Sequence, residues 1–471
     1  MALPPTSALK RAAIDAYVHD LAEPSLFYLD RDDSQYRLMY LGYSVHFSRP
    51  DASGGGGGVM ANEIIAVGLD GDAWSSDLPD PGLVAQFDDI RGTIDALVEP
   101  FGFMPGQSNF DAYMDDLGYV LVKLGTSEEG GGGTDLNSYI IQMMNAVNDM
   151  NGDFIWAFKH FFVNMFEAAV ARYYGLGVIL GAALGGEKGL WVQTQKAVDE
   201  AVDRAAEAFE ARSVESESAW DELAKIVHVM ADGLDLFAAS AELGGQVEAA
   251  LPLEAIAAGL NLIADIIPED DDPKPANTYL SLMDSFSATI AKIKDDGVTQ
   301  ENVLKDNLQS SFEATFGNQW AFATPFAGQP IDQSSSWDEV LIDPEKCSQL
   351  CEGSHAVLPG IVGVLDEVHR YVELMTDSTS WYRDEAFGSG EKGCWASWDT
   401  LRCRMSDFLD DLRWKTEKAS EVFKDVIRAF KDGDRDAAAN LAKLEAELNH
   451  GPGAQTDWPD HVHTEGGIGG Y

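Results

Sequence analysis

Basic residues are scarce in this chain: 32 lysines and arginines stand against 79 aspartates and glutamates, a formal net charge of −47 over 471 residues. A surface of that sign repels phosphate groups, which excludes nucleic acid as a partner and disfavours contact with anionic membranes. Solubility is the ordinary reason for such an excess of acid. Adaptation to high salt is the alternative, because aspartate is plentiful and lysine is scarce.

Long apolar runs and catalytic motifs are also missing. No run of 18 uninterrupted apolar residues occurs, and no apolar run follows Lys10 and Arg11. The sequence therefore predicts neither a membrane-spanning helix nor a Sec-type signal peptide. It contains no Gly-x-Ser-x-Gly, no Walker loop, no His-Glu-x-x-His and no Gly-x-Gly-x-x-Gly that follows a predicted strand. We expect a protein that is not an enzyme and that holds no cofactor and no metal.

Only four cysteines are present, all in the final third of the chain: Cys347, Cys351, Cys394 and Cys403. The first two stand at the start of one predicted helix, and the other two at the start of the next. If these helices are antiparallel, a disulfide between them is feasible, although sequence does not set the connectivity. Free buried thiols are a second alternative. A metal site is a third, although zinc favours the tighter Cys-x-x-Cys spacing.

The clearest pattern lies in residues 358–444, which predict two helices folded back on each other. Apolar residues recur there at steps of three and four, so each helix carries one stripe that must be buried. The stripe of the first arm is Leu358, Ile361, Leu365, Val368, Val372 and Met375, and that of the second is Leu401, Met405, Phe408, Leu412, Ala419, Val422, Val426 and Phe430. A helical hairpin of this kind is typical of a segment that packs within a protein or binds a partner.

The same periodicity over much of the chain predicts a mainly α fold. We expect an elongated helical bundle built from long antiparallel hairpins, with a small irregular N-terminal region. Gly185-Gly186 is interpreted as the turn of one hairpin, and residues 279–293 and 299–316 as two short helices. The predicted divisions are an irregular region (1–80), a helical domain with a first hairpin at about 136–212 (81–267), a linker with short helices (268–340), a C-terminal hairpin (341–450) and a disordered tail (451–471).

The C-terminal hairpin resembles the WXG family of ESX (type VII) secretion proteins of actinobacteria, over about ninety residues. The resemblance rests on a bend with Trp381 followed by Ala386-Phe387, and on a second arm that ends in a family-like pattern over 426–441. Arg383 stands where the family has a glycine two residues after the tryptophan. The segment 136–209 is similar in plan, with Gly152 and Trp156 at its bend.

This resemblance implies a non-enzymatic, secretion-associated protein that binds a protein partner or a second copy of itself through helix faces. It also implies an exported substrate, made in the cytoplasm and then secreted or displayed at the cell surface without a cleaved leader. The family's export signal, Tyr-x-x-x-Asp/Glu, occurs only at residues 28–32, far from both hairpins. The predicted partner-binding residues are Trp381, Phe387, Gly152 and Trp156, and ordinary core packing is the alternative for all four.

Two other functions remain open from the sequence. The helices 234–267 and 154–166 are rich in small or aromatic residues, and they could rearrange and insert into a membrane as a toxin-like pore. Alternatively, the chain is a cytosolic protein of a halophile with a role that its sequence does not identify.

Overall fold

The predicted mainly α class is confirmed by the computed structural model. The structure describes residues 5–22, 28–31, 35–40, 43–49, 64–67, 73–76, 81–125, 135–152, 155–156, 158–213, 278–317, 343–384, 387 and 390–432. Its helices are α1 (Ser7–Ala22), α2 (Pro81–Val98), α3 (Asp111–Leu124), α4 (Asp135–Asn148), α5 (Asn164–Ser213), α6 (Tyr279–Gly317), α7 (Pro344–Cys351), α8 (Val357–Leu374) and α9 (Trp395–Asp432). A π-helical turn, Phe158–Val163, leads into α5, and short 3-10 helices span Glu99–Phe103, Gln107–Asn109 and Ser378–Trp381.

The centre of the fold is α5, a helix of 50 residues that is about 75 Å long at 1.5 Å per residue. Helices α1, α3, α6 and α9 all pack against it. The indole Nε1 of Trp398 on α9 donates a hydrogen bond of 3.0 Å to the Leu180 carbonyl oxygen on α5. The buried apolar side chains of α5 recur along its whole length: Val170, Tyr173, Leu176, Leu180, Leu184, Trp191, Val198, Val202 and Phe209.

The predicted C-terminal hairpin is present, with α8 and α9 packed against each other. All six stripe residues of the first arm are buried. In the second arm, Phe408 and Val422 are partly buried against the core, and the side chain of Phe430 lies outside the described part. The five remaining stripe residues of that arm are buried. Helix α7 precedes the hairpin, and its first turn is capped by Asp343, which accepts a hydrogen bond of 2.9 Å from the Glu345 backbone N–H.

The predicted turn at Gly185-Gly186 is wrong, because α5 runs through both glycines without interruption. A glycine inside a helix costs up to about 1 kcal/mol relative to alanine, and packing on several sides of α5 outweighs that cost. Because α5 does not turn back at these glycines, the first hairpin predicted at about 136–212 is not formed. Instead, α4 ends near the Gly152 bend and packs mainly against α7 and α8.

The two short helices predicted at 279–293 and 299–316 are a single helix, α6, of 39 residues. Gly297 and the neighbouring Asp295 and Asp296 lie between the two predicted helices. Buried Ile293 and Leu304, on either side of that point, keep α6 on α5. Tertiary packing thus overrides the weak local preference.

Residues 1–80, for which no regular fold was predicted, contain α1 and a five-stranded antiparallel sheet. Its strands, in spatial as well as chain order, are β1 (Tyr28–Arg31), β2 (Gln35–Tyr40), β3 (Tyr43–Ser48), β4 (Ile64–Val67) and β5 (Ala73–Ser76). Buried Asp15 of α1 holds the sheet: it accepts a hydrogen bond of 2.5 Å from the Tyr36 hydroxyl and one of 2.9 Å from Arg49 Nε. The export-like motif at 28–32 thus begins in strand β1, and its last residue lies outside the described part.

Asp20 near the end of α1 joins three helices. Its carboxylate accepts hydrogen bonds of 2.9 Å from Arg212 Nε at the end of α5 and of 2.5 Å from the Tyr279 backbone N–H at the start of α6. The second contact satisfies a backbone donor that the first turn of a helix leaves without an intrahelical partner.

We expect Asp20→Asn to lower the free energy of unfolding by about 1–3 kcal/mol, because it removes a charged acceptor from a partly buried pair. Urea denaturation followed by circular dichroism measures the change. Asp95→Asn is the control, since Asp95 is half-exposed in its pair with Lys10 and should cost less than about 1 kcal/mol. Equal losses in the two variants would contradict a joining role for Asp20.

Several predictions fall outside the described residues: the helices within 219–267, residues 434–441 of the family-like ending, and the tail 451–471. In the described ranges, no helix combines the length and the apolar character that crossing a membrane requires.

Candidate functional site

The structure places two of the predicted partner-binding residues inside the protein. Trp381 is buried, with its ring centroid 5.2 Å from that of Phe110 and 5.7 Å from that of Trp398. Phe387 is also buried, 4.4 Å from Phe101 and 6.3 Å from Trp191 between ring centroids. Both residues are therefore core contacts of this chain, as the core-packing alternative expects.

The other two predicted residues lie at the surface bend after α4. Gly152 has a φ of 126°, a left-handed conformation that favours glycine, and its carbonyl oxygen accepts a 2.9 Å hydrogen bond from the Trp156 backbone N–H. Trp156 itself keeps 37% of its surface exposed. This half of the predicted site is therefore accessible.

Charged residues stand only at the two ends of α4: Asp135 is its first residue, and Asp149, which is exposed, follows its last. Residues 136–148 contain no Asp, Glu, Lys or Arg, although 24% of the chain is charged. Ile141 is 44% exposed in the middle of α4. We define the α4 surface as Trp156 and the exposed residues of α4, which are Ser138, Ile141, Gln142, Asn145 and Asn148.

All four cysteines are free thiols, so the suggested disulfide is not formed. Cys347 Sγ lies 3.5 Å from Met150 Sδ, and burial raises the pKa of Cys347 to about 11. Cys394 lies elsewhere, against α5, and Cys403 is exposed on α9. In the ranges that the structure covers, no group of three or more His, Cys, Asp or Glu side chains is placed to hold a metal ion.

The most unusual site is a buried charged cluster that the sequence analysis did not find. It consists of Glu187 on α5, Glu301 on α6, and Arg383 and Cys394 in the segment that joins α8 to α9. All four side chains are buried. Arg383 forms an ion pair with Glu301, and the Cys394 thiol donates a hydrogen bond of 2.9 Å to Glu187 Oε1. We call the described residues 381–384, 387 and 390–394 the connector.

The connector is shaped to deliver Arg383 into this cluster. The Arg383 backbone N–H donates to the Glu391 carbonyl oxygen at 2.9 Å, and its Nε donates to the Gly390 carbonyl oxygen at 2.9 Å. The guanidinium carbon lies 4.8 Å from the ring centroid of Trp191, one turn beyond Glu187 on α5. These contacts hold the Arg383 guanidinium in the orientation in which it pairs with Glu301.

The backbone of the connector lies directly against the Glu301 and Arg383 side chains at Gly393. The φ of Gly393 is +54°, and a Cβ atom there would overlap Glu301 Oε1 and Arg383 Nη2. Only glycine fits, because both the backbone conformation and the space exclude a larger side chain.

The electrostatics of the cluster follow from its burial. The pKa of Glu187 is raised to about 8. Loss of hydration is the largest cause and the Glu301 charge is the second, while the Arg383 charge acts in the opposite direction. The pKa of the Cys394 thiol is raised well above its ordinary value, first by burial and then by Glu187. Near neutral pH the cluster therefore combines one ion pair with a protonated carboxyl and a neutral thiol.

This arrangement suits structure better than catalysis. The carboxyl groups are fully buried and a substrate does not reach them, and a protonated thiol is a poor nucleophile. A buried pair of this kind fixes the segment that carries its partner, since separating the charges leaves one of them buried alone. The cluster thus docks the connector on α5 and α6.

Comparison of the chain with protein-family models, with curated proteins and with solved structures finds no match.

Proposed function

We propose that this chain is a non-enzymatic helical interaction protein that associates with a second copy of itself through the α4 surface. The observation that carries the proposal is the pairing of a 37%-exposed tryptophan and a 44%-exposed isoleucine with a helix that contains no charged residue from 136 to 148. Tryptophan is enriched among the residues that dominate binding energy, and charged residues are depleted from the centre of protein interfaces.

The net charge favours this face over the others for self-association. Two chains that each carry −47 repel one another, and the repulsion is strongest where acidic surfaces face each other. Contact through residues 136–148, which contain no charged residue, brings few like charges together. Added salt screens the remaining repulsion, so the association should strengthen as ionic strength rises.

An association with type VII secretion is part of the proposal and rests on the resemblance of the C-terminal hairpin to the WXG family. The antiparallel packing of α8 and α9 agrees with that plan. The buried position of Trp381 assigns its bend an internal role, so the proposal uses the α4 surface for partner contact. Secretion or display at the cell surface is an expectation that follows from the resemblance alone.

Size-exclusion chromatography with light scattering tests the self-association at low and high salt. We expect a discrete oligomer that is more populated at high salt, and we expect Ile141→Asp or Trp156→Ala to weaken its formation by about 30-fold or more. Leu280→Asp is the matched control, because Leu280 is 69% exposed on α6, away from α4; it should behave as wild type.

Two results would contradict this proposal. The first is a wild-type chain that stays monomeric at high salt, because such a chain does not self-associate through any surface. Equal weakening by Ile141→Asp and Leu280→Asp would place the contact somewhere other than the α4 surface.

A further inference from the structure

The charge count of the buried cluster implies a bound proton. Among the described residues, two carboxyl groups and one guanidinium meet with their side chains buried from solvent, so the single cation matches one carboxylate. A second negative charge in that space would be unpaired and strongly unfavourable. Near neutral pH, one proton therefore stays on the carboxyl pair while the connector is docked.

We propose that the cluster is a proton-coupled latch: undocking of the connector from α5 and α6 releases one proton, so the connector is held more tightly at acidic than at neutral pH. This role is independent of the α4 surface. It concerns how the loop of the C-terminal hairpin is attached to the rest of the protein.

The sign of the effect follows from the groups that face Glu187. Among the residues that the structure describes, these are Glu301 from α6, and Arg383 and Cys394 from the connector. When the connector leaves, Glu187 meets water and its pKa returns towards the ordinary value of 4.5, from about 8 in the docked state. Between these two values, undocking releases a proton, and the undocking equilibrium constant rises by up to about tenfold per pH unit. Above the higher value, both states are ionised and the dependence ends.

Undocking also uncovers Cys394, which provides a readout. The rate at which a maleimide labels Cys394 in the full chain, followed by mass spectrometry, reports the undocked population. Comparing wild type with Glu187→Gln at each pH cancels the chemistry of the thiol, because the same cysteine is measured in both proteins. Glutamine has nearly the same shape as glutamic acid but carries no titratable proton.

We expect the wild-type to Glu187→Gln ratio of labelling rates to rise by up to about tenfold per pH unit between about pH 5 and about pH 8. Glu207→Gln, on the exposed side of α5, is the matched control and should follow wild type at every pH. A ratio that does not change with pH would overturn the latch.

Cys347 separates local undocking from global unfolding. It is buried against Met150, away from the connector, so it is labelled only when the rest of the fold opens. The latch requires Cys394 to react faster than Cys347, and equal rates would overturn it. If Glu187→Gln does not fold, infrared spectroscopy of the wild type decides. A buried protonated carboxyl must be present near neutral pH and absent from the unfolded chain, and its absence from the folded chain would reject the proposal.

Discussion

Replacing Arg383 with methionine should lower the free energy of unfolding by about 3–5 kcal/mol near neutral pH, the typical cost of removing one partner from a buried ion pair. Methionine fills part of the space of the arginine stem but supplies no charge. Glu187 and Glu301 are then left together without a cation. They must either take up a second proton or leave the interior, and both responses weaken the docking of the connector.

Urea denaturation over a range of pH measures this loss and its origin. The loss should shrink towards acidic pH, because burial raises the pKa of Glu187, whose protonation then carries no cost relative to the unfolded chain. Adding Glu301→Gln to Arg383→Met restores a neutral cluster and should recover part of the stability. Arg428→Met is the control: Arg428 is 72% exposed in its pair with Asp425, and its loss should cost less than about 1 kcal/mol. An Arg383→Met variant that unfolds like this control would refute the role of the cluster.

Helical periodicity predicts the C-terminal hairpin because α8 and α9, which follow each other along the chain, pack against each other. The periodicity does not identify the other helices that bury the two stripes. Helices α3 and α4 pack against α8, and α5 and α7 pack against α9, where Phe408 stacks on Tyr173 of α5 at 5.8 Å between ring centroids.

Glycine residues did not reliably predict where helices end. The sequence predicts a turn at Gly185-Gly186 and a break between residues 293 and 299, which include Gly297, yet α5 and α6 continue through both since each is held by packing along its length. Gly393, in contrast, adopts a left-handed conformation at the closest contact of the connector. The difference lies in tertiary surroundings that a local pattern does not contain.

The buried cluster could not be predicted because its members come from three distant parts of the chain. Glu187 stands in an apolar helix, which is the only local signal of an unusual acid. With 79 acidic residues, one carboxyl group among many carries little weight. Its partners Glu301 and Arg383 become recognisable only when α5, α6 and the connector are assembled.

The sequence leaves two roles open for Trp381, partner contact and core packing. One substitution distinguishes between them. If Trp381 is a core residue, Trp381→Ala leaves a cavity between Phe110, Trp395 and Trp398, and the free energy of unfolding should fall by about 3–5 kcal/mol. Self-association of the remaining folded protein should not change. Chemical denaturation and light scattering on the same samples measure both quantities.

Trp156→Ala is the matched comparison, since it removes the same side chain from an exposed site. It should lower the free energy of unfolding less than Trp381→Ala does, because 37% of the Trp156 surface is exposed against 2% of the Trp381 surface, and it should weaken association as described above. The two variants therefore have opposite signatures. If Trp381→Ala left stability intact and abolished association, the bend would be the partner contact that the family resemblance implies, and the buried arrangement described here would have to open when the partner binds.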